Sequence, residues 1–441
     1  MKKAALTIIY TIILSLTVFS QCPTNIYFIT QEQIDDFPIQ YPNCTEVTGY
    51  IEIRGDNIIN LDGLINLSSI GQGLAIDYNP DLIDITGLNN LISIGDHLHI
   101  SYNDVLSSLS GLANLTTVGG HGITITHNNS LINLDGLQNI SSVDFFDISS
   151  NSSLESLTGL NNLSNISANA YLTITANNSL LNLEGLENLT YIEGSIGITD
   201  NEQLINLEGL NYLDSIGGGF HFSRNDVLEE ITALANIKKI GEGLILRENY
   251  NLQSLSGLNS LNSIGGDLEI RKCNKLINLN GLESLLSIGG KLDIYENNDL
   301  ENLNGIDNID KESISDLKIT FNPILSYCEV VSICDYVFNP NGDIEIHSNY
   351  SGCNNSQEIG YACTVDRQEI KDLDSYLLYP NPVKNSLFIS SKTNSGLIYV
   401  TIFNNQGKKV LSQNGILDKI DISFLESGIY FIELISKEQV I

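Results

Sequence analysis

The sequence predicts a mainly β protein, most of which is a long parallel β-solenoid. Two observations predict this fold. The dipeptide Gly-Leu, or a close variant of it, recurs eleven times among the 441 residues at steps of 23–26 residues. Each step also begins with a short alternation of apolar and polar residues, which is typical of a half-buried strand. A period in the 20s indicates one supersecondary unit stacked many times, so we expect the surface of the stack to carry the function. The first residues of the repeated pair are Gly63, Gly87, Gly111, Gly136, Gly159, Gly185, Gly209, Ala233, Gly257, Gly281 and Gly305.

The strand of each repeat contributes two inward-facing apolar residues. Thirteen such pairs predict thirteen short strands, none of which is long enough to fold alone. Pairing each strand with the copies before and after it gives a parallel sheet with neighbours about 4.8 Å apart, and hence a rod about 58 Å long. The pairs are Ile51/Ile53, Leu74/Ile76, Leu98/Ile100, Ile123/Ile125, Phe146/Ile148, Leu172/Ile174, Ile196/Ile198, Phe220/Phe222, Leu244/Leu246, Leu268/Ile270, Leu292/Ile294, Leu317/Ile319 and Ile344/Ile346.

An asparagine follows three residues after nearly every inward pair. A turn at this point leaves backbone groups that a stacked Asn amide can bond from coil to coil. Within the run from Asn79 to Asn349 the exception is Cys273. The asparagines are Asn79, Asn103, Asn128, Asn151, Asn177, Asn201, Asn225, Asn249, Asn297, Asn322 and Asn349.

Length variation is confined to one half of each coil. From the first inward residue to the following Gly there are 13 residues in all ten coils from Leu74 to Leu292. The irregular steps fall after Gly-Leu, with one extra residue around Gly119–Gly122 and two extra at Ser167–Tyr171. We therefore expect that edge to be an exposed loop. Because Ala233 also fills the Gly position, we expect the glycines to serve close packing rather than a positive φ angle.

The repeat unit resembles a leucine-rich repeat of the receptor L-domain type over about residues 47–350. This resemblance implies a right-handed β-solenoid of about 12–13 coils, with capped ends and with ligand contact through the sheet face or edge. Cysteine is the usual alternative to asparagine in the ladder of such repeats. Cys273 is therefore interpreted as a buried structural thiol, with a reactive thiol as the alternative.

The N-terminus predicts export. Residues 1–20 combine Lys2 and Lys3 with an apolar run and a small residue, which is the pattern of a secretory signal peptide. Gln21 before Cys22 makes a poor lipid-attachment motif, and no later stretch has about 18 uninterrupted apolar residues, so we expect no membrane span. Cys22 and Cys44 would staple an N-terminal cap over residues 21–50 in an oxidising compartment.

Four further cysteines cluster after the regular coils of residues 51–325, in a predicted C-terminal cap over residues 326–363 with a short helix at Ser326–Val337. Four cysteines allow three pairings, and a metal site is the alternative, although no His pair lies nearby. The resemblance to disulfide-bonded repeat caps favours Cys328–Cys353 with Cys334–Cys363.

After a charged stretch at Thr364–Ser375, interpreted as a coil-breaking linker, residues 376–441 resemble the C-terminal sorting domain of the type IX secretion system of Bacteroidetes. This resemblance implies a small β-sandwich, export by Sec and then by the type IX machinery, and a secreted or outer-membrane-associated location. The family continues with a lysine-rich end, so we expect a truncated terminus here. The matching segments are Tyr379-Pro380-Asn381-Pro382-Val383, Leu387, Ile389, Ile402-Phe403-Asn404, Gly407, Ile420-Asp421-Ile422-Ser423, Leu425, Gly428 and Tyr430.

The charge balance excludes some partners. The formal net charge is −32, and removing Lys2 and Lys3 with the signal peptide makes it 19 − 53 = −34. A surface this acidic repels nucleic acid and anionic lipid. Neither a cofactor nor a metal is predicted.

Outward positions of the sheet predict a ligand-binding face. In one column six successive coils present a hydroxyl and the next two present Arg247 and Arg271, which with Lys272 would form a cationic patch in an acidic protein. An anionic glycan or protein surface would fit this patch. Alternatively, Ser and Thr are simply good strand residues, and the two arginines pair with Glu269 and Glu248. The predicted ligand-binding residues are Thr175, Thr199, Ser223, Arg247, Arg271 and Lys272.

Histidines concentrate in two adjacent coils. His97 and His99 lie two apart on one strand, about 6.7 Å from each other on the same face, and could chelate a transition metal with His121 of the next coil. Scattered surface histidines are the alternative explanation.

Three classes of function follow from these features. The first is a secreted or cell-surface binding or adhesion protein that recognises a glycan or a protein through the sheet face. The second is a polysaccharide-degrading enzyme, but Glu269 and Asp293 are the only adjacent outward acids and lie beside Arg, so catalysis is not predicted. The third is an ice- or mineral-binding array, which needs a more regular Thr grid than this sequence offers.

Overall fold

The computed structural model describes residues 22–167, 170–373, 376–379, 384–391, 397–404, 408–414, 419–425 and 428–436, so the predicted signal peptide lies outside the described residues. A parallel sheet of 14 strands dominates the fold, and each strand pairs with the copies before and after it in sequence. The chain is thus mainly β and solenoid-like. The strands are Ile26–Phe28, Ile51–Ile53, Leu74–Asp77, His97–Ser101, Gly122–Thr126, Phe146–Ser149, Tyr171–Thr175, Ser195–Thr199, Phe220–Ser223, Leu244–Arg247, Leu268–Arg271, Leu292–Tyr295, Leu317–Thr320 and Ile344–His347.

All thirteen predicted strands are present, and the structure adds one at the N-terminus. Ile26–Phe28 pairs in register with Ile51–Ile53, inside the segment predicted as a cap. Its coil has no Gly-Leu pair, because helix α1 (Gln31–Gln40) takes that side of the coil, so the repeat period does not reveal it. Of the predicted inward residues, Ile344 alone is not buried.

A second side of each coil carries shorter elements that the sequence analysis did not predict. Two-residue strands form three small parallel sheets, and 3₁₀ helices precede them in several coils. The short strands are Glu46–Val47, Ser69–Ile70, Ser93–Ile94, Thr117–Val118, Ser142–Val143, Asn165–Ile166, Tyr191–Ile192, Ser215–Ile216, Lys239–Ile240, Ser263–Ile264 and Ser287–Ile288. The 3₁₀ helices are Asp62–Leu64, Thr86–Leu88, Ser110–Leu112, Thr232–Leu234, Ser256–Leu258 and Lys311–Ser313. Leucines and isoleucines from both sides fill one continuous core.

The asparagine ladder is confirmed. Asn79 Nδ2, for example, donates to Asn103 Oδ1 at 3.0 Å and to the Ile53 carbonyl at 3.0 Å, and the pattern repeats along the rod. Cys273 interrupts it, since its Sγ lies 3.9 Å from the Leu246 carbonyl oxygen. The thiol is free and fully buried, and burial raises its pKa to about 12. It is therefore protonated and shielded, as expected of a structural thiol.

The explanation predicted for the Gly-Leu glycines is only half right. Close packing is confirmed, because a Cβ at Gly87 would lie 1.8 Å from the Leu61 carbonyl oxygen of the previous coil. Six of the glycines nevertheless adopt a positive φ, contrary to the prediction: Gly136, Gly159, Gly185, Gly209, Gly281 and Gly305. The other four, together with Ala233, lie in the 3₁₀ helices and do not have a positive φ, so there the glycine serves close packing alone. Ala233 therefore belongs to one of two turn types and gives no information on the φ angle of the glycines in the other type.

Both ends of the solenoid are capped by helices and disulfides. Helix α1 begins with a capping box between Thr30 and Gln33. The three disulfides Cys22–Cys44, Cys328–Cys353 and Cys334–Cys363 confirm the favoured pairing.

The two helices near the C-terminal cap differ from expectation. Helix α2 (Val331–Phe338) begins five residues later than the predicted Ser326–Val337 helix. Helix α3 (Ser356–Leu373) continues through most of Thr364–Ser375, which was expected to be a coil-breaking linker. Residues 364–373 contain neither Pro nor Gly, so their charges are compatible with a helix.

The C-terminal segment forms two three-stranded antiparallel sheets. Leu387, Ile389 and Ile420 from the first sheet share a small apolar core with Val400 and Ile402 from the second. The first sheet comprises Tyr376–Tyr379, Ser386–Ser391 and Lys419–Asp421, and the second comprises Leu397–Asn404, Lys409–Asn414 and Tyr430–Ser436.

Candidate ligand-binding face

Five of the six predicted ligand-binding residues lie in one column of the long sheet. The strand register pairs Thr175 with Thr199, Thr199 with Ser223, Ser223 with Arg247 and Arg247 with Arg271. They therefore occupy five consecutive strands at the spacing of the sheet, about 4.8 Å per step. Lys272 does not belong to this column. It lies at the corner just after the strand, with a φ of 54°.

The hydroxyl part of the column is exposed over only part of its length. Ser101 and Thr126, two of its predicted members, are buried, and the Ser101 hydroxyl donates to Asp77 at 2.8 Å. The next four, Ser149, Thr175, Thr199 and Ser223, are half-buried. The hydroxyl oxygens of Thr175 and Thr199 lie 2.9 Å apart in a hydrogen bond. Hydroxyls accessible to a ligand thus begin at Ser149, one strand before the predicted site.

The arginine part of the column is ion-paired within the protein. Arg247 binds Glu269 through two nitrogens, and Arg271 lies 3.1 Å from Glu269 and 2.6 Å from Asp293. Lys291 adds a contact of 3.0 Å to Asp293. The hydrogen bond to Glu269 raises the pKa of Arg247. The patch predicted to be cationic is therefore largely compensated.

The alternative pairing is right for Glu269 and wrong for Glu248. Glu248 accepts a hydrogen bond from Lys272 at 2.8 Å, which lowers the pKa of Glu248 and raises that of Lys272. Arg247 and Arg271 reach the sheet-face acids diagonally, because each acid lies two residues before the register partner of the arginine on the next strand, whereas Glu248 shares the corner position with Lys272.

The adjacent acids Glu269 and Asp293 are held by cations. Glu269 is 7 % exposed and Asp293 is 2 % exposed, and Arg271 contacts both. The geometry favours structural ion pairs at this position.

One further acid on the sheet face was not singled out from the sequence. Asp147 pairs in register with Thr124 and Thr173, and its Oδ1 is buried without a hydrogen-bond partner. Burial raises the pKa of Asp147. The sequence signal for Asp147 was an acidic residue at an outward strand position of a coil that also presents a hydroxyl.

A corner column also escaped the sequence analysis. The residue immediately before each ladder position has a positive φ, although most are neither Gly nor Asn. Tyr78, Tyr102 and His127 stack there with ring centroids 4.5 and 4.3 Å apart, and Arg54 lies 4.4 Å above Tyr78. Farther along, charges of alternating sign occupy the same corner: Asp200, Arg224, Glu248, Lys272 and Glu296. Position relative to the ladder asparagine would have identified this column.

The histidines are grouped differently from the expected set. His97 and His121 both contact Asp96, at 3.0 and 2.7 Å, whereas His99 lies 3.5 Å from Asp77. Of the three histidines considered as a possible chelate, His97 and His121 share an acid, and His99 does not belong to this group. The reason is that the irregular turn at Gly119–Gly122 brings His121 over the start of the neighbouring strand, where Asp96 is the nearest acid.

Comparison with known proteins bears on the C-terminal segment. Residues 377–441 match the family described as the secretion system C-terminal sorting domain. A search of curated proteins finds no match to the chain. Within the described residues, no helix has the length and apolar character needed to cross a membrane. The matched segment indicates export to the cell surface or medium and interaction with the type IX machinery, so this chain carries the sorting domain of a type IX secretion substrate.

Proposed function

We propose that the protein is a secreted or cell-surface binding protein that recognises a glycan or protein ligand through the long sheet. In this proposal the solenoid is right-handed and of the leucine-rich L-domain type, and the sorting domain leaves the exported protein associated with the outer membrane. The observation that carries it is the accessible column of Ser149, Thr175, Thr199, Ser223 and Arg247 on consecutive strands.

The chemistry of this column favours a ligand rich in hydroxyl groups. Each Ser or Thr hydroxyl can donate one hydrogen bond and accept two, so the column can satisfy both roles of a sugar hydroxyl. Because the positions repeat about every 4.8 Å, a chain of repeating polar units can contact several strands at once. Several weak contacts along one ligand add to a useful affinity.

The charges favour a neutral glycan over a polyanion. The acidic rod repels anions at long range, and the paired Glu269 and Asp293 already neutralise the arginines. Arg247, whose side chain is 47 % exposed, retains donors for an uncharged acceptor at one end of the column. In this proposal a neutral ligand therefore takes the place of the anionic ligand considered from the sequence.

A glycan array probed with the full chain, together with a pull-down from the native culture, tests the proposal. We expect binding to neutral glycans that changes little between low and physiological salt. The same preparation should be screened for release of reducing ends from polysaccharides. Turnover of a polysaccharide would favour the alternative function, a polysaccharide-degrading enzyme. Failure to bind any glycan or protein would reject the proposed function.

A further inference from the structure

A cluster of Asp96, His97 and His121 lies apart from the sheet-face column, at the irregular edge of two neighbouring coils. Asp96 Oδ2 lies 3.0 Å from His97 Nδ1, and Asp96 Oδ1 lies 2.7 Å from His121 Nδ1. One ligand atom from each of the three residues lies within 4.8 Å of the others. Two imidazoles and a carboxylate thus converge on one point.

Glycines on the surrounding chain make this convergence possible. His97 pairs in register with Gly122, and a Cβ at Gly73, just before the other neighbouring strand, would lie 2.1 Å from the His97 ring. Gly120 has a φ of +28°, and a Cβ there would lie 2.3 Å from Asp96 Oδ1. Side chains at these positions would displace the His97 ring or the Asp96 carboxylate.

The turn that delivers His121 is the one-residue irregularity of the repeat. The Gly122 N–H donates to the Gly119 carbonyl at 2.8 Å, and the His121 N–H donates to the Asp96 carbonyl at 3.0 Å. These two bonds fold the extra residue back toward the preceding coil. The insertion therefore has a local consequence beyond a longer loop, because it places a second imidazole on Asp96.

The donor set has the chemistry of a transition-metal site. Neutral imidazole and carboxylate are the ordinary protein ligands of Zn²⁺, and three such ligands with an open fourth position describe a ligand-accepting zinc site. The Nδ1 atoms of His97 and His121 contact different carboxylate oxygens of Asp96, so all three side chains present ligand atoms to the same place. The net charge of the chain, −32, also concentrates cations near its surface.

We propose that Asp96, His97 and His121 bind a divalent transition-metal ion, with Zn²⁺ the best fit, and leave a fourth position open to water or to a donor from a second molecule. Ligand atoms around a tetrahedral zinc ion lie about 3.3 Å apart. The contacts of Asp96 with His97 and His121, at 3.0 and 2.7 Å, would therefore open by a few tenths of an ångström, and no ligand atom of the set lies more than 4.8 Å from another. On binding, the ion replaces the two hydrogen bonds to Asp96.

Calorimetric titration of Zn²⁺ into the full chain, stripped with chelator and held in excess Mg²⁺ to occupy diffuse acidic sites, tests the proposal. We expect one equivalent of Zn²⁺ to bind, and His121→Ala and Asp96→Asn each to weaken binding at least about tenfold. His99→Ala, on the same strand as His97 but beside Asp77, is the matched control and should bind like the unmodified chain. Co²⁺ in place of Zn²⁺ should give visible absorption that His121→Ala abolishes.

His121 is 83 % exposed, so its replacement should leave the melting curve of the metal-free protein unchanged. Absence of stoichiometric Zn²⁺ uptake by the unmodified chain would overturn the proposal. Equal weakening of Zn²⁺ binding by His99→Ala and His121→Ala would overturn the proposal as well, because the ions would then bind surface histidines without selectivity.

Discussion

Restoring asparagine at the one interrupted rung of the ladder should stabilise the solenoid. In an intact rung, Asn225 Nδ2 donates to the Ile198 carbonyl at 2.9 Å, and Asn225 Oδ1 accepts from the Asn201 N–H at 3.2 Å. The sulfur of Cys273 makes long contacts to two carbonyl oxygens, at 3.8 and 3.9 Å, and a hydrogen bond with the backbone of Asn249. Cys273→Asn replaces these with an amide donor for the carbonyl of Leu246 and an amide oxygen as the acceptor for the N–H of Asn249.

The size of the gain follows from those two hydrogen bonds. At about 0.5–1.5 kcal/mol each, they contribute about 1–3 kcal/mol. The two extra side-chain heavy atoms must fit a fully buried site, which costs about 1 kcal/mol. We therefore expect a net stabilisation of about 1 kcal/mol.

Amide hydrogen exchange is the suitable assay, because each coil contacts only its neighbours and the effect should stay local. A gain of about 1 kcal/mol slows exchange about fivefold in the coils around Asn249 and Asn297. The matched control is Asn225→Cys, which removes the same bonds from an intact rung and should speed local exchange. If Cys273→Asn speeds exchange as much as Asn225→Cys does, the ladder reasoning is refuted.

Three further predictions concern the core, the cap and the sheet face. Ile198→Ala removes a fully buried side chain and should cost about 2–5 kcal/mol, with hydrogen exchange showing loss of protection in nearby coils and not at both ends. Cys334→Ser opens the disulfide to Cys363, which spans 29 residues, and should cost roughly 3–4 kcal/mol in denaturant titrations, against little change for Cys273→Ser. Asp147→Asn should stabilise the protein at pH 7 by less than about 1 kcal/mol, because the group is partly exposed and screened. The pKa of Asp147 is raised in the folded protein. The contribution of Asp147 to stability is therefore fully present below pH 3.8, the ordinary pKa of the group, and is lost as the pH rises through the folded-state pKa. A stabilisation by Asp147→Asn that is the same at pH 3 as at pH 7 would contradict this pH dependence.

The repeat period accounts for how much of the fold could be predicted. An inward pair and a ladder Asn recur at fixed spacing. Parallel pairing then follows, because neighbouring strands share the same apolar pattern and therefore pair in the same register. The first strand, Ile26–Phe28, was missed because its coil ends in a helix and lacks the repeated Gly-Leu. The repeat period gives no prediction for a coil that departs from the consensus.

The candidate site was predictable in position but less so in chemistry. Register places Thr175, Thr199 and Arg247 in one column, as expected. Ion pairing depends on which side chains can reach each other, and Arg271 reaches both Glu269 on its own strand and Asp293 on the next strand. Sequence spacing alone does not determine such three-way contacts.

This pairing also decides which variants can test binding. Reversing the charge of Arg271 would place a third acid beside two nearly buried carboxylates and destabilise the sheet. Lost binding by that variant would then report on folding. The hydroxyl residues are better targets, because Thr175 and Thr199 bond mainly to each other.

The most direct test of the proposed function compares two variants of the full chain on one glycan array. The first replaces Thr175, Thr199 and Ser223 by alanine on the sheet face. The second replaces Thr232 and Ser256 by alanine, which are exposed hydroxyl residues beside Ala233 and Gly257 on another side of the coils. We expect the first variant to lose at least about tenfold in affinity for the glycans bound by the unmodified chain, and the second to keep it. Equal binding by both variants would contradict recognition through the sheet face.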